Sequence, residues 1–338
     1  MEKTNIDFDN LGFNYIRTAY NLRCVYRDGK WGEITLHTEE TIPMHISAGC
    51  LHYGQESFEG LKAFACPDGK VRIFRPDKNA ERMQSSARYV RMAEPPTELF
   101  VEMCRRLVEM NRDFIPPFES GGSLYIRPLL IGTGPTIGVK AVDEYMLLMF
   151  CTPVGEYFKG GMKGIRAIVD AEHDRAAPHG TGHVKVGGNY AASLESGELA
   201  HAKGYESALY LDPATHTNID ECGAANFFGI KGNTYVTPNS HSVLPSITNL
   251  SLRDIARYVG MDVECRDIPV SELSEFEECG ACGTAAVIAP IEEVFDPRDG
   301  KKYSYHCVGD KTMVIYQFYK DLQVGLREDQ WGWNVVIE

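Results

Sequence analysis

The sequence predicts an α+β protein of two domains, and three observations carry that expectation. The chain has 338 residues, more than one hydrophobic core usually serves and enough for two. Strand-like and helix-like segments follow one another as short mixed pieces, without the regular strand–helix–strand series of a parallel doubly wound sheet. The segment GEYFKGGMKGI is rich in Gly and Lys and lacks periodicity, which marks a joint between domains. The expected division is a small N-terminal α+β domain over 1–155, an interdomain loop over 156–165 and a large C-terminal domain over 166–338.

The elements follow in chain order. YNLRCVYRDGKWGEITL holds two short apolar runs around DGK, a hairpin signal. GKVRIF reads as a strand. DKNAERMQSSARYV reads as a helix with Asp77 as its N-cap. TELFVEMCRRLVEMNRDF places Leu99, Val101, Met103, Leu107 and Met110 at helical spacing. GSLYIRPLLIG and DEYMLLMFCTPV are apolar enough for core strands. Beyond the joint, RAIVD, ESALYLD, NFFGI and TYVTP read as strands. AASLESGELAHAKG reads as a helix ending at Gly204, and TNLSLRDIARYVGM as one ending near Gly260.

Composition narrows the function classes. Hydrophobic residues make up 43% and charged residues 24%, ordinary proportions for a chain with a sizeable core. A formal net charge of −13 lacks the basic field of a non-specific nucleic-acid binder. The N-terminal MEKTNIDFDN has no apolar leader core, and the run YMLLMFC is far too short to span a bilayer. The ten cysteines are scattered, so reduced thiols in the cytoplasm are expected rather than a disulfide framework. No nucleic-acid or membrane partner is expected.

Candidate chemistry begins at TGHVKVGGNYAAS. Lys185 is its one charged side chain, with Arg175 and Glu195 the nearest others along the chain. If HVKVG is extended, Val184 and Val186 share one face and Lys185 points the other way. A lysine on an edge strand ordinarily faces solvent. The sharper reading is an amine in a desolvated pocket, where it loses its proton more easily and attacks a carbonyl. Such an amine suits covalent attachment of an aldehyde cofactor, of which pyridoxal phosphate is the usual one.

That cofactor needs an acid at its pyridine nitrogen, a donor at its phenolic oxygen, and cations and backbone N–H groups at its phosphate. Tyr190 lies just beyond Gly187 and Gly188, which can bend the chain. Glu221 precedes the small run Cys222-Gly223-Ala224-Ala225, which lets a flat ring approach, whereas Asp220 reads as an exposed acid of a hairpin turn. SVLPSITNL opens a helix around Ser246 whose first N–H groups, with the Ser246 and Thr248 hydroxyls, form an anion site. CGACGTAAVIAP offers the Thr284 hydroxyl and the N–H groups of Gly283-Thr284-Ala285. Cys279 and Cys282 have redox spacing without a thioredoxin-like setting. His173, His179 and His183 fit no common zinc spacing, and no metal is expected.

Taken in order, KVGGNYAAS, ECGAANFF, LPSIT and GTAA resemble the motifs of branched-chain amino-acid aminotransferases, class IV (fold type IV) pyridoxal-phosphate enzymes. LHYGQESFEGLKAF, RPDKNAERM, SLYIRPLLIGT and PVGEYFKGG are similar to the same family's small-domain motifs. The resemblance runs from residue 10 to residue 295. It implies the two-domain fold type IV architecture, like that of D-amino-acid aminotransferase, with mixed sheets and flanking helices. It implies Lys185 as the cofactor-binding, proton-carrying lysine, Tyr190 at the phenolic oxygen and Glu221 at the pyridine nitrogen. Arg82, Ser246, Ile247, Thr248 and Thr284 are implied around the phosphate. The substrate carboxylate falls to the Thr284–Ala285 backbone, with Tyr53 and Arg127 entering from the neighbouring subunit of a homodimer. Phe58, Tyr125 and Tyr157 are implied along the side-chain pocket.

The implied reaction is transamination between Leu, Ile or Val and 2-oxoglutarate, giving branched-chain 2-oxo acids and L-glutamate. The alternative within the class is a D-amino-acid aminotransferase or an aminodeoxychorismate lyase; SLYIRP and YGQESFEG favour the branched-chain branch. Two departures stand out. NYIRTAYNL replaces a YFTDHM-like stretch, which weakens any transfer of a role to Tyr15. The CxxC precedes GTA here instead of following it, so a thiol switch is not carried over.

Overall fold

The computed structural model describes residues 6–338 and divides into two compact units. The first takes the chain up to Tyr157, then Lys185–Gly187 and Asp321–Glu338; the second takes Phe158–Val184 and Gly188–Lys320. In chain order the elements are β1 (Asn21–Arg27), β2 (Lys30–Trp31), β3 (Thr35–His37), α1 (Gly49–Tyr53), β4 (Glu56–Phe58), β5 (Leu61–Ala65), β6 (Val71–Phe74), α2 (Pro76–Tyr89), α3 (Thr97–Met110), β7 (Ser123–Gly132) and β8 (Tyr145–Val154). There follow β9 (Ile165–Val169), α4 (Gly187–Ala192), α5 (Leu194–Ala202), β10 (Ser207–Leu211), β11 (Ile219–Cys222), β12 (Ala225–Lys231), β13 (Thr234–Pro238) and α6 (Ile247–Tyr258). The chain closes with β14 (Asp262–Arg266), β15 (Glu278–Gly283), β16 (Val287–Asp296), β17 (Lys301–Ser304), α7 (Asp310–Gln323) and β18 (Asn334–Ile337).

The first unit is built on one antiparallel sheet, ordered β18-β6-β5-β7-β8-β1-β2, with β3 on β1 and β4 on β7. The DGK hairpin forms as expected, with Asp28 at φ 53° and Gly29 at φ 78°, the left-handed pair a tight hairpin turn demands. Strands β7 and β8 pair from Ser123↔Val154 to Gly132↔Tyr145. Along β7, Leu124, Ile126 and Leu130 are buried while Tyr125 and Arg127 are only half-buried. A period of two therefore gives one face to the core and the other to functional groups.

Helices α2 and α3 bear on this core, which joins Met83, Phe100 and Leu107 to Leu124, Ile126 and Leu147. The buried stripe of α3 is Phe100, Met103, Cys104, Leu107 and Val108. The helix was legible from its spacing, but its phase differs: Val101 is half-buried and Met110 exposed. Asp77 lies in the first turn of α2 and is not its cap; Arg75 holds that position at φ 50°, and Pro76 starts the helix.

Residues 321–338, assigned by composition to the second domain, join the first unit. The cause is β18, which pairs antiparallel with β6 from Asn334↔Phe74 to Ile337↔Val71. Nearby, the Trp333 carbonyl accepts from Arg75 N at 2.7 Å, and the Arg75 guanidinium lies 4.3 Å from the Trp333 ring centroid.

The second unit is a mixed sheet ordered β11-β10-β9-β16-β15-β12-β13-β14. β11 pairs with both β10 and β12, which closes the strands from β11 to β12 into a barrel. Ala167, Leu209, Ile219, Phe227, Val236 and Ile291 belong to its core. The stretch HVKVG is not a strand here but an irregular segment leading into α4. Side chains occupy its carbonyls. Arg175 Nη2 donates to Gly182 O at 2.6 Å, and Asn189 Nδ2 donates to Thr181 O at 2.7 Å and Val184 O at 3.0 Å. A Cβ on Gly182 would fall 2.2 Å from the Ser242 carbonyl oxygen, so only glycine fits that approach. Gly187 and Gly188 open α4 instead of bending the chain, and Ser193 separates α4 from α5 within the single helix expected there.

The α3 phase makes a direct test. Leu107→Ala empties a fully buried site and should cost about 2–5 kcal/mol in urea unfolding of the intact protein. Met110→Ala, on the exposed face, should stay within about 0.5 kcal/mol. Equal losses would place the core stripe wrongly.

Candidate active site

In the first unit Lys185 is fixed by its backbone. Its N–H donates to Ser86 Oγ at 2.9 Å, and its carbonyl accepts from Ser57 Oγ at 2.9 Å and from Phe58 N at 3.2 Å. The Gly187 N–H donates to the Glu56 carboxylate. Burial raises the Glu56 pKa, which that hydrogen bond partly offsets. Val184 and Val186 are buried and Lys185 is half-buried. The alternation expected of the segment is thus kept without strand geometry.

Around the amine stand groups suited to an amino acid. Lys185 Nζ lies 4.6 Å from the Phe58 ring centroid, and the Arg127 guanidinium lies 5.0 Å from the same centroid. Arg127 Nη2 donates to Tyr125 Oη at 3.2 Å. A Cβ at Gly60 would fall 2.1 Å from that phenol oxygen, so the glycine makes room for the phenol. The resemblance assigns Arg127 to a neighbouring subunit. Within this chain β7 carries Tyr125 and Arg127 on one face, beside its own Phe58 and Lys185. Tyr53, 42% exposed at the end of α1, turns its hydroxyl to the Ile137 carbonyl. Tyr157 is 53% exposed.

Arg82 projects from α2 onto Glu59, a wholly buried carboxylate. Nε donates at 2.8 Å and Nη2 at 2.7 Å. Sequence reasoning missed Glu59, Ser57 and Ser86. The signal for the last was present, since Asn79, Arg82 and Ser86 recur along one face of a helix.

In the second unit Glu221 is 2% exposed and paired with Arg175. Asn226 Nδ2 donates to Glu221 Oε1 at 2.5 Å. Burial pushes the Glu221 pKa up to about 7, while Arg175 and then Asn226 pull it down. Behind it, Asn226 Oδ1 accepts from Asn249 Nδ2 at 3.0 Å, and Asn249 Oδ1 accepts from Tyr235 Oη at 3.0 Å. Asn226 Nδ2 also donates to Leu244 O at 3.0 Å. The acid is thereby tied to the start of α6, where Ser246 Oγ accepts from Asn249 N at 3.2 Å and Ile247 and Thr248 are buried.

Strand register completes this site. Glu221 faces Asn226, Asn226 faces Cys282, and Gly283 faces Val287 across the turn that holds Thr284 and Ala285. Val287 is buried at φ 65°, a strained conformation for a β-branched residue and of the kind functional turns retain. Tyr190 sits half-buried in α4. Asp220 departs from expectation: all of β11 is buried, and Ser242 Oγ donates to its carboxylate at 2.5 Å. Arg175 was also missed, its only sequence signal being its isolation upstream of Lys185.

Cys279 and Cys282 lie buried along β15, and burial pushes the Cys282 thiol up to about 12, far from a reactive thiolate. Among the described residues no group of three or more His, Cys, Asp or Glu side chains could hold a metal ion, and no helix is long and apolar enough to cross a membrane.

The donors suit pyridoxal phosphate. A buried acid paired with a cation matches a ring nitrogen, and a capped helix start with a small-residue turn beside it matches a phosphate. The family model for amino-transferase class IV matches residues 56–294. The chain is 48% identical to the branched-chain-amino-acid aminotransferase of Haemophilus influenzae, over 99% of each chain. It is 45% identical to the enzyme of that name from Helicobacter pylori, over 97% of each. A crystal structure of Escherichia coli branched-chain amino acid aminotransferase aligns at a TM-score of 0.79 and 27% identity, covering 94% of this chain and 98% of that one. The class IV aminotransferases depend on pyridoxal phosphate. By family model, sequence and fold alike, the chain belongs to them, within the branched-chain amino-acid aminotransferases.

Proposed function

We propose that the chain transfers amino groups between L-leucine, L-isoleucine or L-valine and 2-oxoglutarate, yielding branched-chain 2-oxo acids and L-glutamate. The observation that carries this reading is the cluster on Phe58: the Lys185 amine, the Arg127 guanidinium and, through Arg127, the Tyr125 phenol. An amine next to a carboxylate-binding cation and an aromatic wall suits an α-amino acid with an aliphatic side chain. Near-half identity to two bacterial enzymes of that activity along their full length supports it. Nothing favours the D-amino-acid or lyase alternatives.

Pyridoxal phosphate supplies an aldehyde for the amino group and a ring that accepts electron density. Lys185 Nζ would hold that group and would serve as the base that moves the proton at the substrate α-carbon. Glu221, whose carboxylate form Arg175 and Asn226 favour against its burial, would keep a proton at the pyridine nitrogen. Tyr190 donates at the phenolic oxygen. Arg82, Ser246, Ile247, Thr248 and Thr284 hold the phosphate. The Thr284–Ala285 backbone and Arg127 bind the substrate carboxylate, while Phe58, Tyr125 and Tyr157 border its side chain. Tyr53, exposed at the end of α1, is the residue a second subunit would contribute in a homodimer. The ten free thiols suit the reducing cytoplasm.

Two measurements test this. With L-leucine and 2-oxoglutarate the purified protein should release glutamate with ping-pong kinetics. Turnover of D-alanine or aminodeoxychorismate with none of L-leucine would overturn the substrate assignment. Glu221→Gln should keep the cofactor's visible absorbance yet lower kcat by roughly 10²-fold or more; unchanged kcat would remove Glu221 from its role.

A further inference from the structure

We propose that Glu59 is the positioning residue that aims Arg82 at the cofactor phosphate, an inference that rests on the role proposed above for Arg82. Glu59 is 0% exposed, and a carboxylate out of water is tolerated only when its oxygens are paired. Oε1 accepts from Arg82 Nε at 2.8 Å. Oε2 accepts from Arg82 Nη2 at 2.7 Å, from Asn79 Nδ2 at 2.7 Å and from Gly60 N at 3.4 Å. The two arginine contacts form a fork, which fixes the plane of the guanidinium as well as its position.

The carboxylate is itself held from both sides. The Glu59 backbone N–H donates to Pro128 O at 2.8 Å, which ties it to β7. Asn79 and Arg82 reach it from one face of α2. On that same face Ser86 accepts from the Lys185 N–H. One helix face therefore sets both the phosphate-seeking cation and the backbone of the cofactor lysine. A guanidinium is planar, so the fork from Glu59 to Nε and Nη2 fixes the plane in which the whole group presents its N–H donors. A lone arginine on a long flexible stem would instead lose rotamer freedom at each binding event.

The rival is an ion pair that only stabilises the core. It predicts that weakening Glu59 lowers stability without discriminating between ligands that differ in the phosphate. The test compares full-length wild type, Glu59→Gln, Glu59→Asp, Arg82→Ala and the Glu59→Gln/Arg82→Ala double variant. Cofactor release from the holoenzyme is followed by visible absorbance. Affinities of the resolved protein for pyridoxal phosphate and for pyridoxal, which lacks the phosphate, are then measured.

Glu59→Gln should weaken pyridoxal phosphate binding about 10–100-fold, the range for outer groups that orient a ligand-binding side chain, and leave pyridoxal affinity unchanged. The double variant should bind no more weakly than Arg82→Ala alone. Equal loss for both ligands, or additive losses in the double variant, would overturn the inference. If Arg82→Ala weakens pyridoxal phosphate binding and Glu59→Gln does not, Glu59 fails while Arg82 stands. If Arg82→Ala has no effect, the phosphate role of Arg82 fails and the inference with it. Should Glu59→Gln not fold, Glu59→Asp is judged by the same selectivity for the phosphate.

Discussion

Three hydrogen bonds to the backbone of Lys185, from Ser57 Oγ and Phe58 N to its carbonyl and from its N–H to Ser86 Oγ, are the constraint on which the proposed chemistry depends. A catalytic amine has opposing needs. Its nitrogen must move between covalent attachment and proton transfer, while its reach must remain set to a fraction of an ångström. Holding the main chain and leaving the side chain over an aromatic ring meets both. The anchoring groups sit on β4 and α2, elements that also carry Phe58 and Arg82. The Arg127 strand, β7, pairs directly with β4. The cation, ring and lysine of the first unit are thus set by two paired strands and one helix.

In the second unit the same economy is electrostatic. Glu221 is buried deeply enough to favour its neutral form, and Arg175 and Asn226 oppose that. Arg175 has a second task, since its other donors reach the carbonyls of Gly182 and Ser242. It therefore couples the charge of the acid to the path of the loop before Lys185. Asn226 and Asn249 extend the network to the first turn of α6.

Much of this was legible in the residues. The strands GSLYIRPLLIG and DEYMLLMFCTPV, the DGK turn and the α6 start all formed as periodicity and turn chemistry required. The failures have physical causes. HVKVG alternates like a strand, but side chains take its carbonyls before a neighbouring strand can. Asp220 looked like a turn acid because its shelter comes from Ser242, distant in sequence. Glu59, Ser57 and Ser86 were hidden for the same reason, as each acts on a partner brought close only by folding. The terminal run Asn334–Ile337 was too short to announce its pairing with β6. Local pattern encodes elements well. Second contacts around a site depend on register and packing, which no single segment contains.

The most direct test is chemical. Holoenzyme reduced with borohydride, digested and examined by mass spectrometry should carry the pyridoxyl adduct on the peptide containing Lys185. An adduct on another lysine, or on none, would contradict the role given to Lys185 and everything arranged around it.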